Sequence, residues 1–439
     1  MGGRPHIVVV GAGFGGLEAA RALAGSSVDV TVIDRHNYHL FQPLLYQVAT
    51  AALSPADIAQ PIRAVLRHQQ NATVLLDEVI GVNAAERRVE MRFGGGRSYD
   101  YLVLATGSRY NYFGHEEWRQ LAPGLKSLDD ATSIRRHVLL AFEEAESITD
   151  PALRERLLSF VLVGAGPTGV EMAGALAELA HATLSRDFRH INPQTAHILL
   201  VEAGPRILSG FPDKLAEFAR NCLERMGVEV LLDTAIEAID GQGVIANGKR
   251  IEAANVIWCA GVEASPVAGW LGIPASKGGR VRLATDLSVP SHPEIFVVGD
   301  AAFVTGADGE PLPGLAPVAK QQGRYVGELL ARRVSGDPEP PPFQYRDAGA
   351  LATIGRHTAI ADLGWIQLTG WFAWVLWGIV HIFFLIGFRN RLAVFVNWVW
   401  AWLTYGRGAR LITGEVTALA VQGKSLPTVS AGQKIRRPT

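Results

Sequence analysis

Residues 6–24 read HIVVVGAGFGGLEAARALA, and residues 159–179 read SFVLVGAGPTGVEMAGALAEL. Each is an apolar run, a glycine-rich turn and an alanine-rich stretch of helical spacing, which predicts a strand, a tight turn and a helix in that order. The run from Ile7 to Val10 passes straight into glycine and is too short for a signal peptide or a membrane anchor, so a strand is expected there. Both stretches continue alike. A second apolar strand ends in an acid, VDVTVID with Asp34 and HILLVE with Glu202. A later strand ends in a small-residue turn, YLVLATGS with Gly107 and NVIWCAGVE with Gly261. Gly11 to Gly107 spans 96 residues and Gly164 to Gly261 spans 97, so the chain carries two copies of one folded unit at an offset of 153 residues.

The turn of each copy has the spacing GxGxxG, at Gly11, Gly13 and Gly16 and again at Gly164, Gly166 and Gly169. Three different demands call for glycine: a tight turn, close approach of backbone N–H groups to a pyrophosphate, and close packing of helix on strand. The helix N-terminus then supplies the anion site. An acid at the end of the second strand is placed to bond both hydroxyls of an adenosine ribose. Asp34 lies 18 residues past Gly16 and Glu202 lies 33 past Gly169, the longer gap being taken up by an extended helix and loop through HATLSRDFRHINPQTAH. An acid at Glu202 repels a 2′-phosphate and favours NADH over NADPH, although Arg206 nearby leaves NADPH open. Two dinucleotides in one chain imply electron transfer between them, which points to a flavin beside a nicotinamide.

A length of 439 residues leaves room for two or three domains. Lys plus Arg is 41 against 42 for Asp plus Glu, a net charge of −1, which sets aside a nucleic-acid binder acting through bulk positive charge. Two cysteines, Cys222 and Cys259, are too few for a disulfide framework or an iron–sulfur cluster; they suit a reducing compartment, and no metal site is expected. Charged residues make up 19%, below the ~25% of ordinary soluble domains. The mean hydropathy of +0.16 has one main source. Residues 363–414 contain no Asp, Glu or Lys, but hold Arg389, Arg391, Arg407 and Arg410 and seven of the ten tryptophans. Within them GWFAWVLWGIVHIFFLIGF, residues 370–388, is a charge-free run of 19 residues, while LAVFVNWVWAWLTY has 14, too short to span ~30 Å of hydrocarbon. Tryptophans spread through both runs suit rings at headgroup depth, with the four arginines near anionic lipid heads. Two interfacial helices are therefore expected in preference to one transmembrane span, a buried helix pair or a dimer interface. His381 is expected to make a polar contact to a headgroup or to protein. Before this region, the Pro-rich DPEPPP of residues 337–342 reads as a linker, and residues 343–364 alternate like one or two strands.

Together these residues resemble the flavoproteins with two dinucleotide-binding domains, in which the first turn holds FAD and the second NAD(P)H. EIFVVGDAA, with Asp300, is similar to that family's third FAD motif, whose Asp bonds the ribityl chain. Residues 36–60 contain no cysteine, so the dithiol helix of the disulfide reductases is missing, and two scattered cysteines do not serve a sulfide:quinone reductase. FQPLLYQVATAALSP instead resembles the segment that runs beside the flavin in type II NADH:quinone oxidoreductases. LPGLAPVAKQQGRYVGELL is similar to the segment carrying their AQxxxQ pattern, with Ala316 matching, Pro317 in place of the first Gln and Gln321 as the second.

The resemblance implies an α/β fold of two Rossmann-like domains. Residues 1–125 and 285–336 are the two parts of an FAD-binding domain, 126–284 the NADH-binding domain that interrupts it, and 337–439 a C-terminal domain with membrane-associating helices at about 365–412. It assigns FAD to Gly11, Gly13, Gly16, Asp34, Arg35, Ala105, Thr106, Gly107, Asp300, Ala316 and Val318, and NADH to Gly164, Gly166, Gly169, Glu202, Ala260 and Gly261. Glu171 resembles the family's Glu at the nicotinamide end, Lys320 is a candidate to stabilise the anionic reduced flavin, and Gln321, Lys320 and Tyr46 are candidate quinone contacts. The implied activity is oxidation of NADH through FAD by a membrane quinone without proton pumping. The expected setting is a homodimer lying peripherally on the cytoplasmic face of the inner membrane. A reductase of a soluble or protein acceptor and a membrane-attached FAD/NADH redox sensor are the alternatives.

Overall fold

The computed structural model, which describes residues 3–404 and 406–413, builds the two copies strand for strand around two parallel sheets. In the first, the order across the sheet is Ala72–Leu76, Asp29–Asp34, His6–Val10, Tyr101–Leu104. In the second it is Val228–Leu231, His197–Val201, Ser159–Val163, Asn255–Trp258. Helices cover both faces of such sheets, which is why the central strands are continuous apolar runs, all five residues of Ser159–Val163 being buried. Each copy also inserts a three-stranded antiparallel sheet before its fourth strand, Val79–Asn83 to Gly96–Ser98 in one and Ile236–Asp240 to Lys249–Glu252 in the other.

The first sheet is completed only after the second. Strand His292–Val297 adds beside Tyr101–Leu104, with Ile295 paired to Leu102, and hairpins with Ser288–Val289. The outgoing and returning chains meet in a ribbon, Ser108–Tyr110 antiparallel to Val262–Ala264. Val267, Leu271 and Val281 already pack with Val8, Val10 and Leu102, so the chain re-enters the first unit ahead of the expected boundary at 284. Helix Ala316–Ser335 then lies on helix Phe14–Ala22. A Cβ at Gly323 would stand 2.0 Å from the Gly15 carbonyl oxygen, and this close approach fixes the N-terminus of the later helix near the first turn.

The C-terminal region forms three antiparallel strands, Ala350–Thr353, Ala359–Asp362 and Gln367–Thr369, where one or two were expected, followed by helices Gly370–Phe384 and Phe388–Thr404. The charge-free run is not one helix: it stops at Leu385, which is extended, and turns at Gly387 with φ +88°. Among the described residues no helix is long and apolar enough to cross a membrane.

The buried stripe of this pair holds Ala373, Trp377 and His381 on one helix and Asn390 and Val394 on the other, at spacings of four. Asn390, 1% exposed, donates to the Ala56 carbonyl at 3.0 Å. His381 donates through Nδ1 to the Trp377 carbonyl at 2.7 Å, and burial pushes its imidazole down to about 4. Its expected polar contact is thus to protein.

Two expectations for this region need correction. Trp377 and Trp398 face inward, Trp377 being 2% exposed and Trp398 donating its indole N–H to Gln47 Oε1 at 2.7 Å, so these rings fill the joint with the body. Arg407 and Arg410 do not await lipid. Arg407 is buried, donates to the Thr50 carbonyl at 2.7 Å and pairs with Glu178 at 3.3 Å, while Arg410 pairs with Asp187. Removing one partner of a buried pair strands the other charge, so Arg407→Ala is expected to lower stability by ~3–5 kcal/mol, read from the denaturant midpoint. A shift within error would mean that Glu178 is rehydrated at little cost.

Candidate active site

The two turns have the same internal geometry. Gly11 and Gly164 sit at φ +94° and +97°, where a side chain is strained. A Cβ at Gly16 would stand 1.8 Å from the Gly11 carbonyl oxygen, and one at Gly169 would stand 1.9 Å from that of Gly164. At the middle glycines, Gly13 and Gly166, a Cβ would meet nothing within 4 Å, so each turn leaves space over a helix N-terminus where a pyrophosphate fits. The acids are held identically. Asp34 accepts from the N–H groups of Ala12 at 2.6 Å and His36 at 2.7 Å; Glu202 accepts from Ala165 at 2.7 Å and Gly204 at 2.9 Å. A carboxylate has about four lone-pair sites, so two remain at each acid for ribose hydroxyls. Arg206 pairs with Asp213 and donates to the Ser209 carbonyl.

Asp300 lies in a short turn after the late strand of the first sheet and is joined by two residues that sequence reasoning missed. Ser108 donates to the Asp300 carboxylate, and Lys126 Nζ donates to Ser108 Oγ at 2.6 Å while standing 3.7 Å from Asp300. Burial pushes the Lys126 ammonium down, and Asp300 opposes that shift. Gln322, 1% exposed, accepts from the Gly299 N–H at 2.7 Å and fixes the same turn. Neither Lys126 nor Gln322 stands in a spacing pattern, so their role emerges only from the contact. Ala105, Thr106 and Gly107 line the far side of the first turn, the Ala105 carbonyl lying 2.4 Å from where a Gly11 Cβ would be. Arg35 is exposed beside Asp34. Ala316 opens its helix with Pro317 in the first turn, where a missing N–H costs nothing, and Val318 is buried just behind.

The candidate proton and quinone residues fall into two groups. Glu171, in the second turn of helix Pro167–Glu178, is half-buried, and burial pushes its carboxyl up to about 8, opposed by the Thr353 N–H at 3.5 Å. It faces Tyr46. That phenol is buried, accepts from Gln47 Nε2 at 2.8 Å and is held well above its ordinary pKa, first by burial and then by Glu171. Tyr46 lines a cavity of about 80 Å³ with Glu178, Thr353, Trp374, Trp398 and Arg407. Lys320 and Gln321 are not in its lining. Lys320 Nζ stands 4.5 Å over the Phe384 ring, and burial lowers its pKa. The Gln321 amide is engaged on both sides by the backbone of Arg346, donating to its carbonyl at 2.9 Å and accepting from its N–H at 3.0 Å. That clamp leaves Lys320, of the two, better placed at the helix pair.

Residues 5–323 match the pyridine nucleotide-disulphide oxidoreductases, and residues 348–408 match the NDH2 C-terminal domain. A type II NADH:quinone oxidoreductase of Mycobacterium tuberculosis, NdhA, is 42% identical over 95% of this chain and 91% of its own length. The chain belongs to the type II NADH:quinone oxidoreductases. In fold it is similar to NDH2 from Plasmodium falciparum, solved in complex with NADH, at a TM-score of 0.84 and 20% identity over 92% of this chain and 99% of that one. The sulfide:quinone oxidoreductase of Aquifex aeolicus shares the fold at a TM-score of 0.68 and 18% identity, covering 91% of this chain and 95% of that one.

Within the type II family framework the two turns can be tested separately. Because a side chain at position 166 meets open space, Gly166→Val is expected to fold, keep its flavin and raise the KM for NADH more than tenfold. The flavin-to-protein absorbance ratio and initial rates check this. An unchanged KM would take NADH away from the second turn.

Proposed function

We propose that this chain oxidises NADH held at the second turn, using FAD held at the first, and passes the electrons to a quinone drawn from the membrane. The observation that carries the reading is the pair of matching cradles, each with open space over a helix N-terminus and an acid two bonds short of saturation. FAD would be held by Gly11, Gly13, Gly16, Asp34, Arg35, Ala105, Thr106, Gly107, Asp300, Lys126, Ala316 and Val318. When bound it supplies the acceptance of a hydride and the onward passage of two electrons. NADH would be held by Gly164, Gly166, Gly169, Glu202, Ala260 and Gly261.

The protein's own work is positional and protonic. NADH, a proton and a quinone give NAD⁺ and a quinol, so one proton must come from outside the hydride. Glu171, with a carboxyl at about 8, holds such a proton at neutral pH and can donate a hydrogen bond toward the nicotinamide end. Tyr46, and Lys320 with its ammonium over the Phe384 ring, are the polar groups offered to a quinone ring. Proton translocation is not assigned, because both cradles lie in the body of the protein and not in the helix pair.

Membrane attachment is supported by the outer face of the helix pair. The helix pair turns His381 and Asn390 inward while Phe372, Ile379, Phe383, Phe395, Trp400 and Leu403 face outward, each at least 52% exposed. That outer face suits lipid and weighs against a soluble acceptor; the cytoplasmic face of the inner membrane is the location proposed. A homodimer is the assembly proposed.

The deciding experiment is the absorption spectrum of the purified protein in detergent. A flavin band bleached by NADH and restored by a short-chain quinone, with steady turnover, is the expected result. A bleached band that quinone leaves unrestored would favour the redox-sensor reading, and no band would remove the flavin.

A further inference from the structure

The two cradles differ at the third glycine turn. Gly107 and Gly261 occupy equivalent places, both with positive φ, +71° and +66°. A Cβ at Gly107 would meet nothing within 4 Å, whereas one at Gly261 would stand 2.7 Å from Cζ of Phe113. An aromatic ring therefore closes the second cradle where the first is open.

Phe113 is an unusual residue for its place. It is 63% exposed, and its backbone lies at φ +53°, which a bulky side chain rarely adopts. The loop is built to keep it there. The Phe113 N–H donates to Asn111 Oδ1 at 2.7 Å, the Asn111 N–H donates to the Gly261 carbonyl at 3.2 Å, and the Trp258 indole donates to the Asn111 carbonyl at 3.2 Å. Next to it, Tyr112 is wholly buried, stacks on Trp258 at 5.0 Å and donates to the Ala122 carbonyl at 3.0 Å. A strained backbone held by its surroundings to present an aromatic ring to solvent is a feature of ligand clamps. Val262, 58% exposed, extends the apolar surface beside it.

The sheet order says which part of a dinucleotide the ring would meet. Glu202 ends the strand on one side of the Gly164 strand, and Gly261 follows the strand on the other. With the adenosine ribose at Glu202 and the pyrophosphate at the turn, the nicotinamide half extends toward Gly261.

We propose that Phe113 is a substrate-contact residue, its ring packing on the nicotinamide half of NADH at Gly261 and setting the affinity of this exchangeable dinucleotide. The inference rests on the reading that the second turn holds NADH. NADH must enter and leave, and a ring carried on an exposed loop adds contact to the second cradle without burying the site.

The test is the split between KM and kcat in the full-length flavoprotein with a short-chain quinone. Phe113→Ala is expected to raise the KM for NADH about fivefold to tenfold with kcat within about twofold and flavin content unchanged, while Phe113→Tyr retains the original KM. Phe113→Gly removes the ring and suits the left-handed backbone, so it should show the same rise with no loss of melting temperature. An unchanged KM in both the Ala and Gly proteins overturns the proposal. Glu202→Ala separates this from the underlying reading: if it raises the KM for NADH while the Phe113 variants do not, the turn binds NADH and the ring is idle. If none of the three changes the KM, the assignment of NADH to the second turn falls as well.

Discussion

Glu171→Gln is expected to lower quinone-dependent NADH oxidation about a hundredfold while leaving FAD bound, the size that follows from losing a positioned acid. The pH profile carries the more specific signature. Burial raises the Glu171 carboxyl from 4.5 to about 8, so the protonated form dominates at neutral pH. If that form is the active one, wild-type turnover falls as pH rises through about 8, and the Gln variant, having no proton to lose, shows no such limb. The stability linkage has the same sign. A carboxyl whose folded-state pKa is raised favours folding fully below pH 4.5, and that contribution is lost progressively as pH rises to about 8. Glu171→Gln should therefore flatten the decline in melting temperature over that window. Stopped-flow mixing divides the role further. Slower bleaching of the flavin by NADH is expected from a contact at the nicotinamide end, and an unchanged bleaching rate would remove that contact. A variant with wild-type turnover and an intact alkaline limb would sink the acid role altogether.

How much of this was legible in the sequence depends on whether a residue's job is written in a period or in a contact. Asp34 and Glu202 could be paired because each closes an apolar strand after a GxGxxG turn, and the structure gives them matching N–H partners. The repeat made two matching strand–turn–helix units legible, and the resemblance of EIFVVGDAA to a third FAD motif made the late return of His292–Val297 to the first sheet legible; the order of strands across each sheet came only with the structure. Lys126 and Gln322 were invisible because they act through Asp300 and Gly299, distant in sequence. Phe113 was invisible for a further reason: its oddity is a backbone angle, and the loop Asn111–Gly114 carries no periodic signal.

The C-terminal region misled in an instructive way. Composition marked residues 363–414 as unlike the rest, and that was sound. It could not sort inner from outer residues, because the helix pair is apolar on both its buried and its exposed face. His381 and Asn390 are on the buried stripe and phenylalanines are outside, so hydrophobicity alone put Trp377 and Trp398 on the wrong side. Arg407 and Arg410 failed likewise, since a positive charge near an apolar helix suits either a lipid head or a buried carboxylate, and only the fold brings Glu178 and Asp187 there.

The division between the joint with the body and the outer face sets the form of the membrane test. Deleting the whole region would also strip the Arg407–Glu178 pair, the Trp398–Gln47 bond and the Asn390–Ala56 bond from the body, so lost binding could not be told from lost folding. Substitutions confined to the outer face avoid this. Phe395 and Trp400 are 52% and 62% exposed and make no buried bond, so Phe395→Glu with Trp400→Glu should fold normally. Burying an aromatic or large aliphatic side chain contributes ~1.5–3 kcal/mol, so losing two of them from the bilayer should weaken partition onto lipid vesicles a hundredfold or more. Arg389 offers a contrast. It is exposed, and one arginine near anionic lipid is worth about 1 kcal/mol, so Arg389→Ala should cost only about fivefold and only in anionic, low-salt vesicles. The double variant should keep its rate with a water-soluble short-chain quinone, because no residue of either cradle is touched, and lose rate with a long-tailed quinone confined to vesicles. Sedimentation with vesicles reads the first effect and the two quinones read the second. Unaltered sedimentation of the double variant would mean that this face does not meet the membrane, and its aromatic surface would have to be covered by protein instead.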